Sequence, residues 1–187
     1  MLAWHFLNDE GTLCKGNLKV EVGQTLRMRG PIIPCDRGFH ASVRPLDALR
    51  YAPGAVVQRV RLTGEIVEQA DKVVASERTC LWIADATRTL HEFAIWCGEQ
   101  ALREAQARRM AVDARSWHAL EAKRQWLDGN VSDVDLATAR AAAYAAAAAA
   151  AYAYAYAAAD AYAAAAQNQQ LETMLFHLAP VGYREGS

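Results

Sequence analysis

Residues Ala55–Ile83 read AVVQRVRLTGEIVEQADKVVASERTCLWI, and the fold turns on how this stretch is parsed. Ala55–Val67 and Lys72–Ile83 read as two strands, the second holding Val73, Val74, Cys80, Trp82 and Ile83, and Gln69-Ala70-Asp71 between them reads as a turn. In the first run the alternation is imperfect, because Val57, Arg59 and Arg61 oppose Val56, Val60 and Leu62 only in part. Upstream, Leu2–Leu7 reads as a short apolar strand. Asn8-Asp9-Glu10-Gly11 follows as a turn with Gly11 free to take positive φ, and Thr12–Lys15 is expected to return beside the strand. Leu18–Val22 and Thr25–Arg29 both alternate, and Gly23-Gln24 between them predicts a hairpin. Asp36-Arg37-Gly38 turns the chain into Phe39–Ser42. Pro45 then opens a short helix to Tyr51, with Ser42 as the expected cap.

Downstream the apolar period becomes helical. Leu90, Phe93, Ala94, Cys97, Ala101 and Leu102 follow the i, i+3, i+4, i+7 spacing. A second helix is predicted from Asp113, its cap, to Leu127, with Gly129 ending it. Ser132 and Asp135 form a variant capping box at the head of a third helix that runs toward Leu178, where Pro180 stops it. Between Ala141 and Ala166 this helix holds 20 alanines, five tyrosines and one aspartate. Alanine has the highest intrinsic helix propensity, so the segment is expected to be helical unaided. At about 47 residues it spans roughly 70 Å, against a width of roughly 40 Å for a compact chain of this size. It must protrude, break, or pair with a neighbour. Tyr144, Tyr152, Tyr154, Tyr156 and Tyr162 lie mostly on one broad face and are the expected interaction residues, since tyrosine suits interfaces. Leu171, Met174, Leu175 and Leu178 read as ordinary core.

The expected architecture is therefore α+β. A twisted, mostly antiparallel sheet occupies residues 1–84, two helices pack on it over 85–131, and a long Ala/Tyr-rich helix with a short tail fills 132–187.

Composition narrows the function classes. The formal net charge is −1, from 20 basic and 21 acidic residues, which excludes nucleic-acid binding driven by overall charge. Cys14, Cys35, Cys80 and Cys97 form no CxxC pair, so zinc-ribbon and thioredoxin motifs are excluded and the cysteines read as small core residues. The opening MLAWHFLNDE lacks a basic n-region, so a cytoplasmic chain is expected. The Ala-rich stretch contains no Leu, Ile, Val or Phe, which argues against a membrane span. Cys35-Asp-Arg-Gly-Phe-His-Ala-Ser42 concentrates reactive side chains. A Cys35/His40 pair with Asp47 nearby would need hydrogen-bond reach that the spacing does not enforce. The histidines are scattered, with no metal-ligand spacing, and no P-loop, GxGxxG or GxSxG occurs. No cofactor or metal is expected. Arg103, Arg108, Arg109 and Arg115 alternate with Glu99, Glu104 and Asp113, as on a solvated helix surface.

The run Arg37-Gly-Phe-His-Ala-Ser42, with Arg44-Pro-Leu-Asp-Ala-Leu49, Tyr51-Ala-Pro-Gly54, the strand Val57–Gly64 and Asp71-Lys-Val-Val-Ala75, resembles an uncharacterised domain family of phage and prophage proteins. The resemblance spans roughly residues 4–105, and an alanine-rich tail follows the domain in that family as it does here. It implies a viral or mobile-element origin and carries over no catalytic residue. The expected function is a non-enzymatic protein-interaction module in the bacterial host cell. It would self-associate through the Ala/Tyr helix and bind a protein partner such as a host defence complex. A virion or assembly accessory is a second use of the same surface. The order of strand, His40, short helix, Tyr51 and long strand is also similar to ADP-ribosyltransferase-like folds. That likeness implies an NAD-binding enzyme with His40, Tyr51 and Glu65 (or Glu68 or Glu77) gripping the dinucleotide.

Overall fold

Val56–Glu68 (β4) and Val73–Asp85 (β5) form a long antiparallel hairpin at the centre of the sheet in the computed structural model, which describes residues 1–13, 18–154 and 161–185. Leu2–Leu7 (β1) pairs antiparallel with β4, from Leu2 opposite Arg61 to Leu7 opposite Val56. Thr25–Arg27 (β2) and Phe39–Ala41 (β3) pair in tandem along the other edge of β5. All pairings are antiparallel, and helices follow, so the chain is α+β with an N-terminal antiparallel sheet.

The sheet does not stay open. Trp4 and Ser42 exchange both backbone hydrogen bonds, at 2.7 and 2.9 Å, on the free edge of β1. The segment leaving β3 is thereby drawn back to the first strand, and the sheet curls on itself at that rung. Right-handed twist and two register shifts in the β4–β5 hairpin, after Arg59 and after Thr63, supply the curvature. Gly64, at φ +76°, makes the second shift possible, and the adjacent Glu65 N–H donates to Ser76 Oγ.

Ala3, His5 and Leu7 share one face of β1. Ala3 joins Ala41, Val60, Leu62, Val73 and Ala75 in one apolar cluster, whereas Leu7 joins Val20 and Cys80 in another. Between them His5 stands opposite Gln58 on β4. The other face carries Trp4 opposite Arg59, and Arg59 opposite Trp82, all fully or nearly fully buried.

By its internal contacts the chain forms two compact units, Met1–Thr87 with Ala166–Ser187, and Arg88–Ala165. In the first unit Pro45–Arg50 (α1) follows β3. Arg44 at its N-cap makes no side-chain capping bond, and the expected Ser42 is engaged with Trp4 through its backbone instead. The first turn of α1 is satisfied from afar, because Leu46 N–H donates to Asn168 Oδ1 at 3.0 Å. Asn168 lies on Ala161–Phe176 (α5), whose Leu171 and Leu175 are fully buried. Phe176 packs edge-on against Trp4, with Tyr183 beyond it against Trp82. Arg59, under the Trp4 and Phe176 rings, is held by Glu185 through Nε at 2.7 Å and Nη2 at 2.5 Å.

The second unit is helical. Thr87–Ala107 (α2) starts where Asp85 accepts from the Thr87 N–H, Ala114–Leu127 (α3) is capped by Asp113, and Asp133–Tyr154 (α4) begins at Ser132. Ser132 and Asp135 exchange side-chain-to-backbone bonds in both directions, as the capping box predicts. Arg88 ties α2 to the end of α3 through Leu127 O and Asp128. Gly98 permits close approach, since a Cβ there would lie 2.8 Å from Leu120 Cδ2. Ala122, Leu136 and Ala139 bury together beside Trp126. No described helix is long and apolar enough to cross a membrane.

Two expectations need correction. Leu18–Val22 and Thr25–Arg29 do not pair with each other. Lys19 bridges Thr12, Gly23 N–H and Gln24 O bond to Cys80, and β2 lies on β5. Alternation marks a strand but not its partner, and the long buried ladder of β5 outcompetes the local turn. Nor does Thr12 return as a ladder beside β1, whose partner is β4. Lys15 lies outside the described residues. The third helix is described as α4 and α5, and residues 155–160 between them, Tyr156 included, lie outside the description.

Candidate functional site

The rung that closes the sheet also makes a cavity. About 380 Å³ of space lies between β1, β3, the loop before β3 and the end of α1. That is within the usual range for a small-molecule site. Trp4, Phe6, Ala41 and Ala48 supply apolar wall, while His5, His40, Ser42, Cys35, Asp36, Tyr51 and Lys72 supply polar groups. Small residues, Gly38, Ala41, Ala48 and Ser42, make up part of its lining. Gly38 at φ +135° adopts a conformation closed to other residues, and a Cβ there would sit 2.2 Å from Val74 Cγ2.

The polar groups are held by identifiable bonds. His40 Nε2 accepts from the Cys35 N–H at 3.0 Å, so its proton is on Nδ1. The imidazole thus pins a loop in which Cys35 takes φ +68°, unusual for a residue with a Cβ. The Gln58 side-chain amide lies 2.8 Å from His5 Nδ1, close enough to hydrogen-bond the ring. Burial, reinforced by the charge of Arg78, holds His5 well below its ordinary value and keeps it neutral near pH 7. Tyr51, 53 % exposed at the mouth, donates its hydroxyl to Asp71 at 2.6 Å. That bond raises the tyrosine and lowers the carboxyl. Lys72 lies over the Tyr51 ring at 5.1 Å and against the Cys35 side chain, whose hydrogen bond raises the ammonium further.

Behind His5 and His40 lies Arg78. Its Nη1 donates to His40 O at 3.0 Å, and its guanidinium lies 5.5 Å from the Phe39 ring centre. Burial pulls it down to about 10, which still leaves it charged at pH 7. Nη2 of Arg78 and Oε1 of Gln58 are buried without hydrogen-bond partners among the described residues.

The structure gathers some of the residues singled out from sequence and separates others. His40 and Tyr51 line one cavity; Glu65 does not, lying instead at the register shift in β4. Cys35 and His40 meet, but through the cysteine backbone rather than its thiol. Asp47 faces Arg44 and Arg50 and is not part of the lining. Cys80 is buried as expected of a core cysteine, its thiol pushed up to about 11 by burial, whereas Cys35 is exposed. On α4, Tyr144 is 75 % exposed. Tyr152, Tyr154 and Tyr162 lie on described helix without described side chains, and Tyr156 lies outside the described residues. Sequence reasoning missed His5, Lys72 and Arg78. The signal for Arg78 was a charge set inside a strand otherwise rich in buried residues. Among the described residues no three His, Cys, Asp or Glu side chains are grouped to hold a metal ion.

Every residue of this cavity falls in the first part of the chain. Residues 1–92 match DUF7666, a domain of unknown function. The DUF7666 region holds the five described strands, α1, and His5, Gln58 and Arg78. No curated protein and no solved structure matches the chain.

Proposed function

We propose that the DUF7666 region is a small-molecule-binding domain, with the cavity beside Ser42 as its working site. The observation that supports this reading is the cavity itself. It has apolar walls and convergent polar groups from four segments, and the loop that lines it holds Cys35 and Gly38 at positive φ. Binding rather than group transfer is favoured. His40 and Tyr51 are the residues an NAD-gripping transferase would use, but Glu65, its acid, is not in the lining. The test is differential scanning fluorimetry of the full chain against a panel of soluble metabolites at millimolar concentration, NAD included. At least one class should raise Tm by 2 °C or more, by roughly RT ln(1 + [L]/Kd) in free energy. The shift should shrink in a Tyr51→Ala/Lys72→Met variant. A silent panel, or a shift indifferent to that variant, refutes the reading.

A second reading is the interaction module of phage or prophage origin, with a host defence complex or a virion component as partner. Its support is α4, where Val134 and Tyr144 are 73 % and 75 % exposed. Light scattering over a concentration series tests self-association. A monomer at every concentration, unchanged by Tyr144→Ser, counts against it.

A further inference from the structure

We propose that the cavity takes a short peptide in extended form, one residue of which completes the β-ladder against the backbone of Phe6. This rests on the reading of the cavity as a ligand site. A rung is missing from the sheet beside Ser42. Met1 and Leu62 exchange both backbone hydrogen bonds, at 2.9 and 2.8 Å, so by the two-residue period of an antiparallel ladder Ala3, His5 and Leu7 also bond to β4. Leu2, Trp4 and Phe6 then turn their N–H and C=O groups to the other side. Trp4 spends both of its groups on Ser42. The antiparallel pairing of Trp4 with Ser42 sets Phe6 opposite His40, the position of the next bonded rung. That rung is not made. His40 stays on β5, opposite Val74, and its carbonyl accepts from Arg78 Nη1. Phe6 and His40 both line the cavity, so the space lies where the two strands part.

Phe6 is 2 % exposed, and among the described residues no hydrogen bond takes its N–H or its C=O. Buried backbone groups are nearly always paired, because leaving one unmade is costly. What satisfies both at once is an acceptor and a donor with the spacing of a strand. The C=O and N–H of a single extended amino-acid residue have that spacing, and exchange of both bonds would hold it with about 5.5 Å between the two Cα atoms. Strand addition of this kind draws its affinity from the main chain. Residues directly opposed across a ladder carry their side chains on one face, so the ligand's side chain would stand beside that of Phe6, which suits an apolar residue. A peptide fits better than a free amino acid. The ammonium and carboxylate of the latter would be buried against neutral backbone groups and the apolar walls of Phe6, Ala41 and Ala48.

N-acetyl-leucine N-methylamide, the same compound methylated on the leucine nitrogen, and free leucine share one side chain and differ in the main chain. Each is titrated to about 20 mM into the isotope-labelled full chain, fragments of this size binding in the millimolar range. Backbone amide resonances and their hydrogen exchange are followed by NMR. Without ligand the Phe6 amide should exchange faster than those of His5 and Leu7, which bond to β4. The blocked leucine should move the Phe6 amide proton downfield and slow its exchange. It should bind at least about fivefold more tightly than its N-methyl analogue, which cannot donate to the Phe6 carbonyl. Free leucine should also bind more weakly than the blocked form. A smaller gap to the N-methyl analogue, or a Phe6 amide already as protected as its neighbours, overturns the missing rung. Free leucine binding as tightly as the blocked form overturns the peptide. Metabolites of the fluorimetry panel that move the Phe6, Ala41 or Ala48 amides where the blocked leucine does not overturn this inference and leave the cavity a ligand site. Silence of those amides toward all three probes and the whole panel overturns both readings.

Discussion

Glu185→Gln tests how the C-terminal segment is held to the sheet. The Arg59 side chain is 5 % exposed and that of Glu185 38 %, with Nε and Nη2 of Arg59 both on Oε1. Two unit charges at about 4 Å attract by roughly 4 kcal/mol at an effective dielectric of about 20. Partial exposure of the carboxylate screens part of that. Removing its charge also strands a buried guanidinium, whose remaining neighbours include the Trp4 and Phe176 rings at 4.4 and 5.5 Å. Cation–π contact recovers about 1–2 kcal/mol. The expected loss is therefore about 2 kcal/mol, a drop of roughly 4–8 °C in Tm for a chain of this size. Urea unfolding followed by tryptophan fluorescence gives the value, with an unchanged slope showing that the compactness of neither state has moved. Arg59→Met in the same cage removes the stranded charge, so the double variant should be more stable than additivity predicts by about 1.5 kcal/mol. A Glu185→Gln protein within about 0.5 kcal/mol of the parent, or strict additivity in the cycle, refutes the reasoning.

Two more outcomes follow from the cavity. His5 is held below 6.5 in the folded chain, so below that pH the unfolded chain binds more protons, and stability that is full above about 6.5 is lost as pH falls. Between pH 7.5 and 5.5 the parent should lose more stability than His5→Gln, as read by urea midpoints at each pH; parallel pH profiles would contradict the burial of a neutral His5. Gly38→Ala places a methyl carbon 2.2 Å from Val74 Cγ2 at a φ of +135°, so it should cost roughly 3 kcal/mol. It should also abolish any ligand-induced shift, and calorimetry showing an unchanged Tm would contradict the geometry.

Much of the framework is readable residue by residue. β1 falls on Leu2–Leu7 as its apolar run predicts, β4 and β5 lie within a residue or two of the expected strands, and Asp113 and the Ser132–Asp135 pair cap the helices they head. These are local effects, carried by periodicity and by side chains two or three residues away. Partner choice is not local. β2 sits on β5 through Thr25 opposite Thr79, and nothing within residues 18–29 encodes that. The cap of α1 comes from Asn168, 122 residues on. The imperfect alternation around Arg59 had a cause, a register shift that leaves an arginine buried. Its partner Glu185 lies at the far end of the chain, beyond the reach of any sequence window. For the cavity, the Cys35–Ser42 run was legible as a cluster of reactive types. Its chemistry was not, because His40 spends Nε2 on a backbone amide and the polar groups it meets, His5 and Lys72, arrive from β1 and from the turn before β5.

Both ends of the polypeptide are needed to complete the sheet-bearing unit, and this bears on its biosynthesis. The rings of Trp4 and Trp82 are covered by Phe176 and Tyr183. A nascent chain emerging at roughly 5–20 residues per second therefore carries those indoles uncovered until the ribosome has added a further hundred residues. Maturation of this unit waits on late translation. An expression fragment cut at the edge of the matched domain, residue 92, would keep its strands yet be prone to inclusion bodies.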